Sequence, residues 1–208
     1  MPTKFFAALA SYATLGLFLS PNPALAACGD PARPGVDWSG CKMEKMNFQS
    51  ADLAGADFSD ARLDGSSFKH ANLAGADFED ARMFSVVMTR ANMRGANLQG
   101  ARLKGSNLSG VDLTNADLED ANLVGTFLIE TRLEKANLQD ANLQRSRLSG
   151  AKLRGADLQD AKLDQADLTG ADLTGADIDG ATFFNTKLAN VTWVTGKRCS
   201  YDSVGTCR

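Results

Sequence analysis

The chain has 208 residues, 44% of them hydrophobic, with 22 Lys and Arg against 25 Asp and Glu, one histidine and a net charge of −3. That is enough apolar mass for one or two domains with a buried core, which excludes disorder. The acidic balance and lone histidine exclude a generally basic nucleic-acid binder and a His-rich metal centre.

Lys4 precedes an apolar run from Phe5 to Leu19, which is broken by Ser20-Pro21-Asn22-Pro23 and followed by Ala24-Leu25-Ala26. A positive start, an apolar middle and a small-residue cleavage site form the layout of a secretory signal peptide. Residues 1–26 are therefore expected to be removed, leaving a mature protein that begins near Ala27. The expected location is the periplasm or the secreted fraction, or the thylakoid lumen if the host is phototrophic. Nothing later in the chain approaches the ~20 uninterrupted apolar residues of a membrane-spanning helix. Leu25-Ala26-Ala27-Cys28 also resembles a bacterial lipobox, in which Cys28 would carry a lipid anchor. The cysteine count weighs against that alternative. Cys28 and Cys41 form one local pair and Cys199 and Cys207 another, an even set that in an exported chain implies disulfides; lipidation would strand Cys41. No CxxC is present and His70 is far away in sequence, so no metal is expected at the cysteines.

From Trp38 onward, every fifth residue is large and apolar: Met43, Phe48, Leu53, Phe58 and so on, through leucine to Leu173, then Ile178, Phe183, Leu188 and Trp193. Two residues before each lies a small one, alanine at 20 of 31 positions between 41 and 191, so the unit is small-x-Leu-x-x. Five is neither the helical nor the strand period, but it is two plus three. The small and large residues then point inward as alternate residues of a very short strand, and the step of three turns a corner. Gly55, Asp60, Gly65, Gly75 and Asp80 stand where such a corner needs tight-turn geometry.

These repeats, such as Ala51-Asp52-Leu53-Ala54-Gly55 and Ala96-Asn97-Leu98-Gln99-Gly100, resemble those of the pentapeptide-repeat family over residues 36 to 195. The resemblance implies an all-β fold, a right-handed quadrilateral β-helix with four repeats per coil, hence nearly eight coils. The expected organisation is a signal peptide (1–26), an N-terminal disulfide cap (27–42), a repeat body (43–195) and a C-terminal disulfide loop (196–208). Asp30-Pro31-Ala32-Arg33-Pro34-Gly35 and a Cys28–Cys41 bridge would cover the first coil, where Met46 replaces the usual alanine. Trp193 and a Cys199–Cys207 loop would close the last one.

Positions twenty apart stack, which sorts the outward residues onto four faces. One face carries Asp57, Asp60, Asp77, Glu79, Asp80, Asp117, Glu119, Asp120, Asp140, Asp157, Asp160, Asp177 and Asp179, and no Lys or Arg. Asn97 and Asn137 interrupt its aspartate column, where they would relieve repulsion and could form amide ladders. The next face begins its coils with Lys42, Arg62, Arg82, Arg102 and Lys162. Pairs such as Asp60 with Arg62, Asp80 with Arg82 and Asp160 with Lys162 then predict a ladder of ion pairs across the corner; the alternative is an acidic face left to recognise a basic partner. Outward apolar residues Phe84, Val87, Val124, Phe127, Ile129 and Phe184 fall on two adjoining faces and are a candidate interaction or dimer interface.

Catalysis finds little support. His70 occupies a corner, the carboxylates stand in no evident pocket, and the glycines follow the repeat rather than a phosphate-cradling spacing. The expectation is a non-enzymatic, exported scaffold or protein-binding rod that needs no cofactor. Its partner would be an unidentified protein or a second copy, not a nucleic acid. The resemblance supplies an alternative, since some members of the family look like duplex DNA in shape and charge and protect DNA gyrase from quinolone-type inhibitors. The signal segment, the cysteines and the arginine column beside the carboxylates oppose it, and the unbroken register leaves no loop projecting from the rod. Weak divalent-cation binding by the acidic face is a third, unspecific reading, because hard cations want convergent oxygens.

Overall fold

The computed structural model describes residues 28–208; the expected signal segment 1–26 and the start at Ala27 lie outside the described residues. In Ala56-Asp57-Phe58 the outer two side chains point inward and Asp57 points out, as extended backbone requires. Asp57 bridges Asp37 and Asp77 in parallel, and the same step of twenty joins Lys42 to Arg62, Asn47 to Ser67 and Asp52 to Asn72. The backbone bonds alternate in direction. The Asp57 N–H donates up to the Val36 carbonyl at 2.9 Å, and the Phe58 N–H donates down to the Asp77 carbonyl at 2.7 Å. Four such segments close each coil of a right-handed quadrilateral β-helix. The coils begin at Val36, Ala56, Ala76, Ala96, Ala116, Ala136, Ala156 and Ala176. At ~4.8 Å per step the stack is roughly 35 Å tall. We number the sides in chain order: side 1 starts each coil (56–60 in the second), side 2 follows (61–65), then side 3 (66–70) and side 4 (71–75).

Nearly every corner closes in the same way, Met46 and Val86 being the exceptions. The N–H of the small residue donates to the carbonyl of the preceding large one, as Ala56 does to Leu53 at 3.1 Å. The residue just before the small one takes positive φ, Gly55 at 63° but equally Lys45, His70 and Arg90 at 58°. That conformation disfavours residues with a β-carbon by roughly 1–2 kcal/mol, which explains the excess of Gly, Asp and Asn there. A second closure comes from the outward residue of the strand. Oδ1 of Asp57 accepts the Ser59 N–H at 2.9 Å, and Oδ1 of Asn97 accepts that of Gln99 at 3.0 Å. The x of small-x-Leu is so often Asp or Asn because that side chain caps the next turn.

The interior is a continuous column of buried side chains. It begins aromatic: Trp38, Phe58 and Phe78 on side 1 face Phe48 and Phe68 on side 3, with Phe58 stacked on Phe78 at 4.8 Å and Phe48 on Phe68 at 4.9 Å. Met83, Met88 and Met93 then grade the packing into leucine. Each leucine-sized side chain contributes ~1.5–3 kcal/mol gross, most of it offset by ordering the chain. At two corners with a bulkier small residue, Met46 and Val86, the corner opens and a hydroxyl from the coil below repairs it, whereas Val111 and Val191 keep the direct bond. At Val86 the direct turn bond is replaced by Ser106, whose Oγ accepts the Val86 N–H at 3.0 Å and donates to the Met83 carbonyl at 2.6 Å. Ser66 does the same for Met46 and Met43. Met46 therefore does not enter the interior in place of alanine; it is 45% exposed, with no coil above it.

The two ends are finished differently. Both disulfides form, Cys28 with Cys41 and Cys199 with Cys207. Stacking begins inside the stretch assigned to the N-terminal cap, since Asp37 already bridges Asp57. Beneath that cap Trp38, Met43 and Phe48 are buried. At the other end the terminal loop covers half of the last coil. It pairs antiparallel with side 3 through Lys187 and Val204 and with side 4 through Thr192 and Arg198, leaving sides 1 and 2 without a paired strand below them, although the loop reaches the end of side 2 at Gly205. Closure of the last coil by Trp193 and the loop is thus partial, because an eight-residue disulfide loop is too short to span four sides.

Candidate functional site

Side 1 arranges its acidic residues in three outward columns. The strand column runs Asp37, Asp57, Asp77, Asn97, Asp117, Asn137, Asp157, Asp177. Beside it lie Glu79, Glu119 and Asp179, spaced by serines and glutamines, and along the corner Asp60, Asp80, Asp120, Asp140 and Asp160. Asp37 heads the first column although the sequence reading began it at Asp57; one more step of twenty back from Asp57 would have found it. Two corner glycines leave room for the carboxylate of the coil above. The Asp80 carboxylate folds into the space a side chain at Gly100 would need, and Asp160 does the same over Gly180, both glycines also having positive φ.

Among the described residues, no carboxylate of side 1 forms an ion pair. Relief comes from amides instead. The Asn97 Nδ2 donates to Asp77 Oδ1 at 3.0 Å and to Glu79 Oε2 at 3.4 Å. Asn137 repeats this two coils later with Asp117 at 3.0 Å and Glu119 at 3.3 Å. Gln159 Nε2 donates to Asp177 Oδ2 at 2.7 Å. The Asp177 carboxyl is held below its ordinary range by the Asp179 N–H and by that Gln159 amide. These asparagines do not stack into an amide ladder on side 1; such a ladder lies on side 4, where Asn92 donates to Asn72 at 2.9 Å and Asn72 to Asp52 at 2.8 Å.

Sides 2 and 4 pair most of their carboxylates internally, Asp52 and Asp164 being the exceptions. Arg62 pairs with Glu44 and Arg82 with Asp64, each at 2.7 Å on side 2. The expected pairs across the corner, Asp60 with Arg62 and Asp80 with Arg82, do not form. The chain turns between those residues and aims their side chains outward from different sides, whereas a residue eighteen positions back lies alongside on the same flat surface. Side 4 follows the same rule. Asp112 receives Arg94 at 3.1 Å and stands 3.9 Å from Arg132, and Asp172 stands 3.8 Å from Arg154. Partial burial raises the Asp112 carboxyl, but the Thr114 hydroxyl and N–H, the Arg94 bond and the Arg132 charge outweigh it and hold the group below its ordinary value. Asp172 behaves likewise through Thr174, Arg154 and Lys152.

The six outward apolar residues do not form one unbroken stripe. Polar Lys104 separates Phe84 from Val124, and Asn107 separates Val87 from Phe127. Arginines cover two of them: Arg82 lies over the Phe84 ring and Arg147 over the Phe127 ring, each 5.0 Å from the centroid, a favourable cation–π arrangement. Ile129 at 37% and Phe184 at 68% are the exposed pair. His70 is an exposed corner residue with φ 58°. The Cys28 sulfur is bonded to Cys41, so it carries no thioether lipid in this form. Among the described residues, no group of three or more His, Cys, Asp or Glu is placed to hold a metal, and no helix is long and apolar enough to cross a membrane.

Comparison with known proteins finds matches to the repeat sequence. The profile of the pentapeptide repeat region matches residues 35–108, and that of pentapeptide repeats in eight copies matches 112–150 and 151–190. Among solved structures the chain is similar to HetL, a pentapeptide repeat protein involved in heterocyst differentiation regulation from the cyanobacterium Nostoc sp. strain PCC 7120. Identity is 25% over 83% of this chain and 95% of that one, with a TM-score of 0.34. It is also similar to trypsin-treated QnrB1, a plasmid-mediated fluoroquinolone resistance protein, at 24% identity over 69% and 83% with a TM-score of 0.40. A third is a pentapeptide repeat protein of the Arabidopsis thaliana thylakoid lumen, at 19% over 82% and 86% with a TM-score of 0.23. No curated protein matches. Since the repeat profiles together span well over half of its length, the chain belongs to the pentapeptide-repeat family.

Proposed function

We propose that this protein is a non-enzymatic binding rod that docks side 1 against a basic surface of a partner protein, outside the cytoplasm. The observation that carries the reading is the contrast within one molecule: sides 2 and 4 pair most of their carboxylates with arginine or lysine, Asp52 and Asp164 being the exceptions, while side 1 holds stacked carboxylates with no ion pair at all. Like charges ~5 Å apart cost somewhat under 1 kcal/mol per pair in water. A surface that keeps them is suited to an opposite charge, which it would attract from a distance. The two disulfides support an oxidising compartment, in keeping with residues 1–26 read as an export signal.

Poly-L-lysine of defined length is the probe for the docking side. In one variant Glu79→Gln, Glu119→Gln, Asp80→Asn, Asp120→Asn, Asp160→Asn and Asp179→Asn are combined. Native Gln99 and Asn115 show that such residues fit comparable places. A control of equal charge change combines Glu44→Gln, Asp52→Asn, Asp64→Asn, Glu134→Gln, Asp164→Asn and Asp172→Asn on sides 2 and 4. Binding that is salt-labile in the wild type, at least roughly tenfold weaker in the side 1 variant and preserved in the control supports the proposal. Equal loss in both would mean that net charge alone is at work. Intact mass from fractionated host cells tests the compartment: a chain beginning near Ala27 that gains four hydrogens on reduction is expected, and an unprocessed cytosolic chain with free thiols would contradict it.

The same unneutralised side also favours a second reading, mimicry of DNA in protection of DNA gyrase. Quinolone inhibition of purified gyrase in a supercoiling assay decides between them. No relief by this protein is expected, because the disulfides and the arginines of side 2 argue against a phosphate-like surface in the cytoplasm; relief would put mimicry first.

A further inference from the structure

The open half of the last coil offers a second and independent binding site. In the coil above, the N–H groups of Leu158, Asp160, Leu163 and Gln165 donate down to Asp177, Asp179, Thr182 and Phe184 at 2.8–2.9 Å. Their counterparts in the last coil, the N–H groups of Ile178, Gly180, Phe183 and Asn185, have no acceptor among the described residues. Inward residues that are fully buried elsewhere are partly open here, namely Ile178, Ala181, Phe183 and Trp193. Together with the terminal loop they enclose a cavity of about 410 Å³, within the size range of real ligand sites. The loop contributes Lys197 and Arg198 to its wall, both exposed and neither ion-paired among the described residues. No carboxylate side chain lines it. Around the same end stand Phe184 at 68%, Val204 at 51% and Tyr201 at 81% exposure. At the opposite end of the rod, by contrast, Trp38, Met43 and Phe48 are 2–6% exposed.

We infer that this end binds an extended segment of a partner protein, small and apolar toward the cavity and acidic on its flanks, added as a further strand beneath sides 1 or 2. An unpaired strand edge takes up such a segment through its backbone, while pockets for alternate side chains set the sequence preference. A small-x-large stretch continues the inward columns over Ile178 or Phe183, and carboxylates beside it meet Lys197 and Arg198. The site does not depend on the acidic surface of side 1, so either proposal can fail alone.

The test uses the disulfide-bonded chain and the acetylated, amidated peptide Glu-Ala-Asp-Leu-Glu, with Lys-Ala-Lys-Leu-Lys and a backbone N-methylated form of the first as controls. Saturable binding of the acidic peptide is expected, with slowed hydrogen exchange at Ile178, Gly180 and Phe183. The lysine peptide, which side 1 can attract, should leave those three amides exchanging freely, and the N-methylated control should not bind at this end. Combining Lys197→Ala with Arg198→Ala, both exposed and outside the core, should weaken binding roughly tenfold. Absence of binding, equal protection of those amides by the lysine peptide, or an unchanged affinity in the double variant would overturn the inference. So would sedimentation as a dimer with those amides already protected, since a second copy would then be the occupant.

Discussion

Side 1 and side 4 are built on the same strands, the same corners and the same buried leucines, yet their surfaces obey opposite rules. On side 4 a carboxylate such as Asp112 is held by Arg94, Arg132 and its own turn. On side 1 Asp117, in the equivalent strand position, has its turn and one amide from Asn137. The scaffold therefore demands the Asx cap at both places but demands neutralisation at neither. Charge composition is a free choice of each side, which is why its pattern bears on function and the repeat does not.

The largest effects should ignore the difference between the sides. Leu118 lies behind side 1 and Leu113 behind side 4, and both are fully buried. Leu118→Ala and Leu113→Ala should each cost about 2–5 kcal/mol in urea denaturation, and by similar amounts. A clear inequality would show that the sides differ in their packing as well as in their surface.

The surfaces separate at the next level. Asn137→Asp removes the donor to Asp117 and Glu119 and adds a like charge between them. It should destabilise by about 1–3 kcal/mol at neutral pH and regain much of that at pH below the ordinary carboxylate range. Asn92→Asp on side 4 also removes a donor, the one to Asn72, but places the new charge close to Arg94 and should cost less. Identical losses would remove the proposed distinction.

Acid titration reads the turn and ion-pair contacts of sides 3 and 4, with Asp177 on side 1 also held low. Asp112, Asp167 and Asp172 are held below their ordinary values in the folded chain: burial opposes this, and threonine hydroxyls and N–H groups with neighbouring Arg or Lys outweigh it. A folded value below the unfolded one gives stability that is present above the unfolded value, near 3.9, and is lost as pH falls from there through the folded value. Asp112→Asn should flatten the denaturation midpoint in that window; an unchanged pH dependence would show that Asp112 is not among the groups responsible.

The smallest effect is expected from the ion pairs themselves. Arg62→Ala and Arg82→Ala break exposed pairs with Glu44 and Asp64, and each should change stability by about 0–1 kcal/mol. The Arg82 variant should show the larger loss, because that guanidinium also covers Phe84.

Much of this was legible in the residues before any coordinates. The unbroken step of five fixes which side chains turn inward, and a step of twenty fixes which ones stack, so the register and the acidic columns follow from counting. What counting misses is direction in space. Asp60 and Arg62 are two residues apart but point away from different sides, while Glu44 and Arg62, eighteen apart, touch. Periodicity likewise assigns Ile178, Phe183 and Trp193 the same inward role as Leu118, because the absence of a coil beneath them leaves no mark on the repeat. Nor does the pattern reveal that Ser66 and Ser106, which read as ordinary small residues, repair the corners opened by Met46 and Val86.

The most direct measurement is carbodiimide cross-linking of the native protein in fractionated host cells, followed by mapping of the joined peptides. The reagent couples carboxylates to lysines in contact without a spacer, so it reports which side meets the partner. The account predicts partner lysines coupled to Asp60, Asp80, Asp120, Asp160, Glu79 or Glu119. Coupling concentrated instead on the carboxylates of sides 2 to 4 would contradict it.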